Sequence, residues 1–234
     1  MSQREEYQDA FARIEGEVEA GRADLSRLGF WRLVREVKRD RALARHWAEE
    51  VGRIDRVAFE RWVRPRFPVW LGNAVLLVAS AVLVAFVPVA VALARDAAPS
   101  EPVLPGLMLL AAAGGLSGSL HDLAHWAVGR LVGIRFTWYF LDGPLRIQPG
   151  IKVDYASYLR ASPAARAWMH ASGALASKIA PFAVFVGAYL PHRFASYDLF
   201  PPWAMWGVLV IGVFQIVTDL TFSRKKSDWK KVGR

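Results

Sequence analysis

The chain has 234 residues, 54% of them apolar, with a net charge of +9 and no cysteine. That length allows one membrane domain and a modest soluble appendage, and the missing thiols exclude disulfides and thiolate metal sites. Nucleic acid is set aside as the meaning of the charge, because much of the positive charge flanks apolar stretches and so reports membrane topology.

Residues 1–66 carry 28 of the 51 charged side chains, 15 Lys/Arg against 13 Asp/Glu, whereas 69–94 carries none. The N-terminal segment is therefore mixed in sign and is no basic arm. Its first thirty residues are charged and lack the apolar core of a signal peptide. One helix is predicted over about Tyr7–Ala20. A second starts near Asp24, with Leu25, Leu28, Trp31, Val34 and Val37 recurring at close to helical spacing. Pro65 and Pro68 close the segment. Phe30, Trp31 and Trp47 among many arginines suit a helix lying on a membrane surface, and equally a soluble helical cap or dimer contact.

Four stretches are long enough to cross a hydrocarbon core of about 30 Å, which takes about 20 residues. They are Val69–Ala94, about Val103–Ile134, about Arg166–Leu190, and Pro202 to about Phe222. Small residues in the second and third allow close helix approach inside a bundle, while the first looks lipid-facing. The loops after the first and third hold only Arg95 and only Arg193. The stretch joining the second and third holds Arg130, Arg135, Arg146, Lys152, Arg160 and Arg166, and six more Lys/Arg follow Thr221. Both termini and the long middle loop are thus expected in the cytoplasm.

The middle loop changes period. Ile134, Phe136, Trp138 and Phe140 alternate, as do Leu145 and Ile147, then Ile151, Val153 and Tyr155, with Asp142-Gly143 and Pro149-Gly150 as turns. Two or three short strands are predicted there. The expected fold is an α-helical integral membrane protein of about four transmembrane helices, with a small cytoplasmic β-hairpin region. Its parts are an N-terminal helical segment (1–66), a membrane domain (67–223) and a basic cytoplasmic tail (224–234).

His121 and His125 stand four apart on one predicted helix, so both imidazoles leave the same face and can share a metal. Ionisable groups inside a span are costly and point to function, and Asp122 adds a third polar group on that turn. The bland reading is a histidine pair bonded to neighbouring spans. A zinc site needs a third protein ligand and an open position. Asp219 is the candidate: it lies about 17 residues into the fourth span and His121 about 18 into the second, which runs the same way, so their depths match. Lys178, near the middle of the third span, competes as a partner for Asp219, or pairs with Asp122, contacts substrate, or snorkels towards a water-filled cavity. His170 sits near the cytoplasmic end of that span, as an interface residue or a ligand.

His121-Asp122-Leu123-Ala124-His125, followed by Gly129 and Leu131-Val132-Gly133-Ile134, resembles the site-2 protease family of intramembrane zinc metalloproteases, which carry HExxH on a span that exits to the cytoplasm. Ser172-Gly173-Ala174-Leu175-Ala176-Ser177, preceded by Ala161-Ser162-Pro163, stands where the family has a G-P-x-x-N-like motif. Val217-Thr218-Asp219-Leu220 stands where it has the third ligand, an Asp usually in Leu-Asp-Gly. The likeness covers about 103–223. It departs at Asp122 in place of Glu, at Ser177 in place of Asn, and at the missing Gly after Asp219; the literal Leu141-Asp142-Gly143 falls in the cytoplasmic loop and is read as a decoy. The resemblance implies zinc on His121, His125 and Asp219, Asp122 as general base, and Ser177 in a supporting position; Lys178 and His170, by their places in the third span, are further candidates for supporting or substrate contacts. It also implies a membrane-embedded protein substrate, unwound and added to the loop strands, in a bacterial or archaeal cell membrane. The shorter Asp122 leaves a second expectation, a metal-binding but proteolytically inactive relative that binds or regulates membrane partners. A di-iron desaturase is disfavoured by having one histidine pair where such enzymes carry several clusters. A transporter with an ion site at Asp219 and Lys178 lacks an inverted repeat.

Overall fold

The computed structural model describes residues 3–22, 24–96, 103–142 and 148–221. The side chains of 219–221 lie outside that description, as do Gly143, Arg146 and the basic tail. The chain divides into two compact units, residues 1–69 with 129–166, and residues 70–128 with 167–234.

In the first unit, α1 (Gln3–Glu19) buries Tyr7, Phe11, Ile14 and Val18, one per turn along a single face. The second helix begins later than its apolar spacing suggests. Asp24 Oδ1 accepts the N–H groups of Ser26 and Arg27 at 3.1 and 3.2 Å, closing a turn, and Gly29 at φ 78° breaks the helical path. Hence α2 runs Phe30–Arg39, with Phe30, Val34 and Val37 buried. Asp40 caps α3 (Arg41–His46) by accepting from Ala42 and Leu43 at 2.6 and 3.1 Å. In α4 (Ala48–Trp62), Gly52 matters for a close approach: a Cβ there would stand 2.7 Å from Ala156 Cβ on α7 (Tyr155–Arg160).

Pairing of the predicted strands is antiparallel, β2 (Phe136–Asp142) with β3 (Gln148–Val153). A third strand, β1 (Arg66–Pro68), pairs with β2 from Arg66 opposite Phe140 to Pro68 opposite Trp138. The sheet order is β1-β2-β3, so β3 forms one edge.

An ionic network with two buried carboxylates, Asp55 and Asp154, ties α4 to the sheet. Lys152 Nζ donates to Asp55 Oδ1 at 2.7 Å and stands 4.9 Å from the Phe59 ring centre. Asp154 accepts from Arg56 at 3.1 Å and from Arg135 at 3.0 Å. Burial pushes the Asp55 carboxyl up, and Lys152 opposes that rise. A folded-state pKa above the unfolded value means that the contribution of Asp55 is full below about pH 3.8 and is lost as pH rises through the folded value. Lys152→Met removes the opposing cation, so at pH 7 it is expected to cost about 3–5 kcal/mol. The loss should shrink as pH falls and Asp55 protonates. Unfolding midpoints at pH 5 and pH 7 check both statements, and a loss that does not change with pH contradicts the second.

In the second unit, three helices are long and apolar enough to cross a membrane: α5 (Val69–Asp96), α6 (Val103–Leu131) and α8 (Pro163–Phe194). Their exposed side chains are largely apolar, Val75, Val78, Leu107, Ile179 and Val186 among them, as lipid contact requires. The most hydrophobic window of α5 is 17% buried against 44% for α6 and 33% for α8, in keeping with an outer span. The fourth expected crossing, α9 (Pro202–Thr221), is apolar but falls short of the other three over Pro202–Thr218.

Small residues bring these helices together. A Cβ on Gly115 would stand 2.6 Å from Leu83 on α5, one on Gly207 of α9 2.7 Å from Leu110, and one on Gly106 2.7 Å from Trp203. Ser80 and Ser119 join α5 to α6 by a buried 2.8 Å hydrogen bond.

Candidate metal centre

His121 and His125 leave the same face of α6 with ring centres 4.6 Å apart and nearly perpendicular. Their Nε2 atoms are 3.2 Å apart. His125 is buried, and its Nδ1 lies 2.6 Å from the carbonyl oxygen of Met169 on α8. A carbonyl only accepts, so Nδ1 carries the hydrogen, and in the neutral ring the lone pair is on Nε2. Two facing lone pairs repel. Either His121 Nε2 donates a hydrogen across the gap or both nitrogens serve one cation.

The separation suits the second arrangement. Two nitrogens bound to zinc at about 2.0–2.1 Å with tetrahedral angles stand about 3.3–3.4 Å apart, close to what is found here. An imidazole held through Nδ1–H by a backbone carbonyl is also how metal-binding histidines are fixed in tautomer and orientation.

The His125 ring lies against the backbone of Gly173. A Cβ at that position would stand 2.4 Å from Nε2 and 2.6 Å from Cε1, closer than any side chain tolerates. Ser172 stitches the same turn, its hydroxyl 2.8 Å from Met169 O and 3.1 Å from Ala124 O on α6. Met169, Ser172 and Gly173 thus form the seat of His125. In the sequence Ser172 and Gly173 stand out only at the place of the family's motif, and a backbone carbonyl at Met169 leaves no side-chain signal.

The other expected site residues divide. His170 is buried, with its ring centre 6.2 Å from that of His125, so α8 brings a third imidazole to the pair. Asp122 is buried at 5% exposure on the turn between the two histidines. Ser177 Oγ and Lys178 Nζ both donate to the Ala174 carbonyl at 3.1 Å, Ser177 buried and Lys178 half-buried. The backbone of Asp219 is in α9, and its side chain is outside the described residues. Among the described residues, no three of His, Cys, Asp and Glu are placed to hold a metal together.

No protein-family model matches the chain, and neither does any curated protein or solved structure compared with it. The chemistry of the site therefore rests on its own residues.

Proposed function

We propose that the chain is an intramembrane zinc metalloprotease that cleaves membrane-spanning proteins. The observation that carries this reading is the Nε2–Nε2 gap of 3.2 Å, with His125 held through Nδ1 by Met169 O. His121 and His125 supply two ligands and Asp219 of α9 the third, in a four-span topology with both termini cytoplasmic. Zinc bound there supplies a Lewis acid that polarises a carbonyl and acidifies water towards neutrality.

The chain's own residues do the rest. The Asp122 carboxylate takes a proton from the attacking water as its oxygen bonds to the scissile carbonyl carbon. It then returns the proton to the amide nitrogen as the C–N bond breaks. Lys178, Ser177 and His170 serve as supporting or substrate contacts. The outer edge of β3 pairs with no other strand among the described residues and can take an unwound segment by strand addition.

A second reading keeps the metal and drops the chemistry. Asp122 is one methylene shorter than the glutamate of HExxH, and a base misplaced by about 1 Å can cost about 100-fold. The protein would then act by binding or regulating membrane partners.

Purified protein in detergent with a helix-destabilised single-span substrate tests the two. The protease reading expects cleavage that a chelator abolishes and added zinc restores. Cleavage unaffected by chelation contradicts it, and a zinc-loaded protein that leaves the substrate intact favours the second reading.

A further inference from the structure

Arg166 stands in the first turn of α8, and at 7% exposure it is among the most buried charged side chains of the first unit. Its guanidinium carbon lies 5.5 Å from the ring centre of Tyr158 on α7. Lys38 of α2 brings its Nζ to 5.2 Å from the same ring. Ser162 precedes the helix, its hydroxyl accepting Ala165 N–H at 3.1 Å and its carbonyl accepting Arg166 N–H at 3.0 Å. The positive end of the α8 dipole therefore adds to two cations.

What sets Arg166 apart is that no anion among the described residues pairs with it. Arg56 and Arg135 pair with Asp154, and Arg160 pairs with Glu49 at 2.5 Å. All three have side chains about half exposed. The Arg166 guanidinium makes no ion pair and donates no hydrogen bond to any described residue, although the residue as a whole is far more buried, and its nitrogens are not sealed from solvent, so an anion can reach them. The face of a neutral tyrosine compensates a buried cation only in part. Burial pushes the phenols of Tyr155 and Tyr158 up, so neither supplies a phenolate near neutral pH.

We propose that Arg166 anchors a phosphate-binding site, its guanidinium fork taking the oxyanion of a phospholipid headgroup or of a free phosphate while Lys38 adds charge. The planar fork matches two phosphate oxygens at once. Its place suits the ligand: the first turn of a helix long and apolar enough to cross a membrane is where headgroup phosphates lie. The site is independent of the metal and stands or falls without it.

The test uses the full chain, delipidated in a neutral detergent. One arm titrates phosphatidylglycerol in mixed micelles and counts bound lipid by native mass spectrometry. The other follows the thermal midpoint with inorganic phosphate, with chloride at equal ionic strength as control. The wild type is expected to hold about one phosphatidylglycerol, or to be stabilised by phosphate, and the arm that responds identifies the source. Arg166→Met should weaken that response about tenfold or more, and Arg166→Lys, which keeps the charge without the fork, should fall between. If Arg166→Met does not fold, Lys38→Met should weaken the response several-fold, by about the worth of one charge near a headgroup, with Arg166 intact. No response of the wild type in either arm overturns the proposal, as does a response that Arg166→Met, or in its absence Lys38→Met, leaves unchanged.

Discussion

Asp122→Asn is expected to keep zinc and lose cleavage, by about 100- to 10,000-fold, the usual worth of a positioned base. The substitution is nearly isosteric and changes no ligand, so the metal and the fold should persist. Asp122→Glu is the informative companion. If the base is merely short, the extra methylene restores its reach, and activity holds or rises. Asp122 is buried at 5% exposure on the histidine-bearing turn, so the added atom must find room beside α6. A fold check by unfolding midpoint belongs with the assay. Full activity in Asp122→Asn would remove the residue from the mechanism.

The second large effect concerns the metal. His125→Ala should abolish zinc binding, since one of two neighbouring nitrogens is gone. Gly173→Ala is expected to act without touching a ligand. Its methyl would intrude to 2.4 Å from His125 Nε2, so the ring must move off the seat it shares with Met169. Loss of a support of this kind costs about 10- to 100-fold in metal affinity. Competition with a chromophoric chelator measures it. Unchanged affinity would mean that the ring finds an equally good position, and that the seat does not matter.

Much of this was legible in the chain. The uncharged run 69–94 marks α5 directly, and the alternations Phe136–Phe140 and Ile151–Val153 fall in β2 and β3, because both patterns are local. Ile134 lies before β2, Tyr155 instead opens α7, where the chain turns after Asp154, and Leu145 and Ile147 lie outside the described residues. The i,i+4 spacing likewise carries the histidine pair. Other features need partners far away. Arg66–Pro68 is three residues long with a proline in it, and becomes a strand only because β2 pairs with it. Lys152 and Asp55 are 97 positions apart, and nothing near either names the other. For the same reason residues 129–166 read as membrane-domain loop in sequence, yet cluster with the N-terminal helices through such contacts. Gly173 looks like any small residue of a packed span until a ring is found against it.

The zinc content of the purified protein tests the central claim most directly. Elemental analysis after zinc loading and exhaustive dialysis should give about one zinc per chain for the wild type, as two imidazoles and a carboxylate would bind it. It should give close to none for His121→Ala, and a large loss for Asp219→Asn. A wild type that retains no zinc, or a His121→Ala protein that retains as much as the wild type, would contradict the metal centre and the protease built on it.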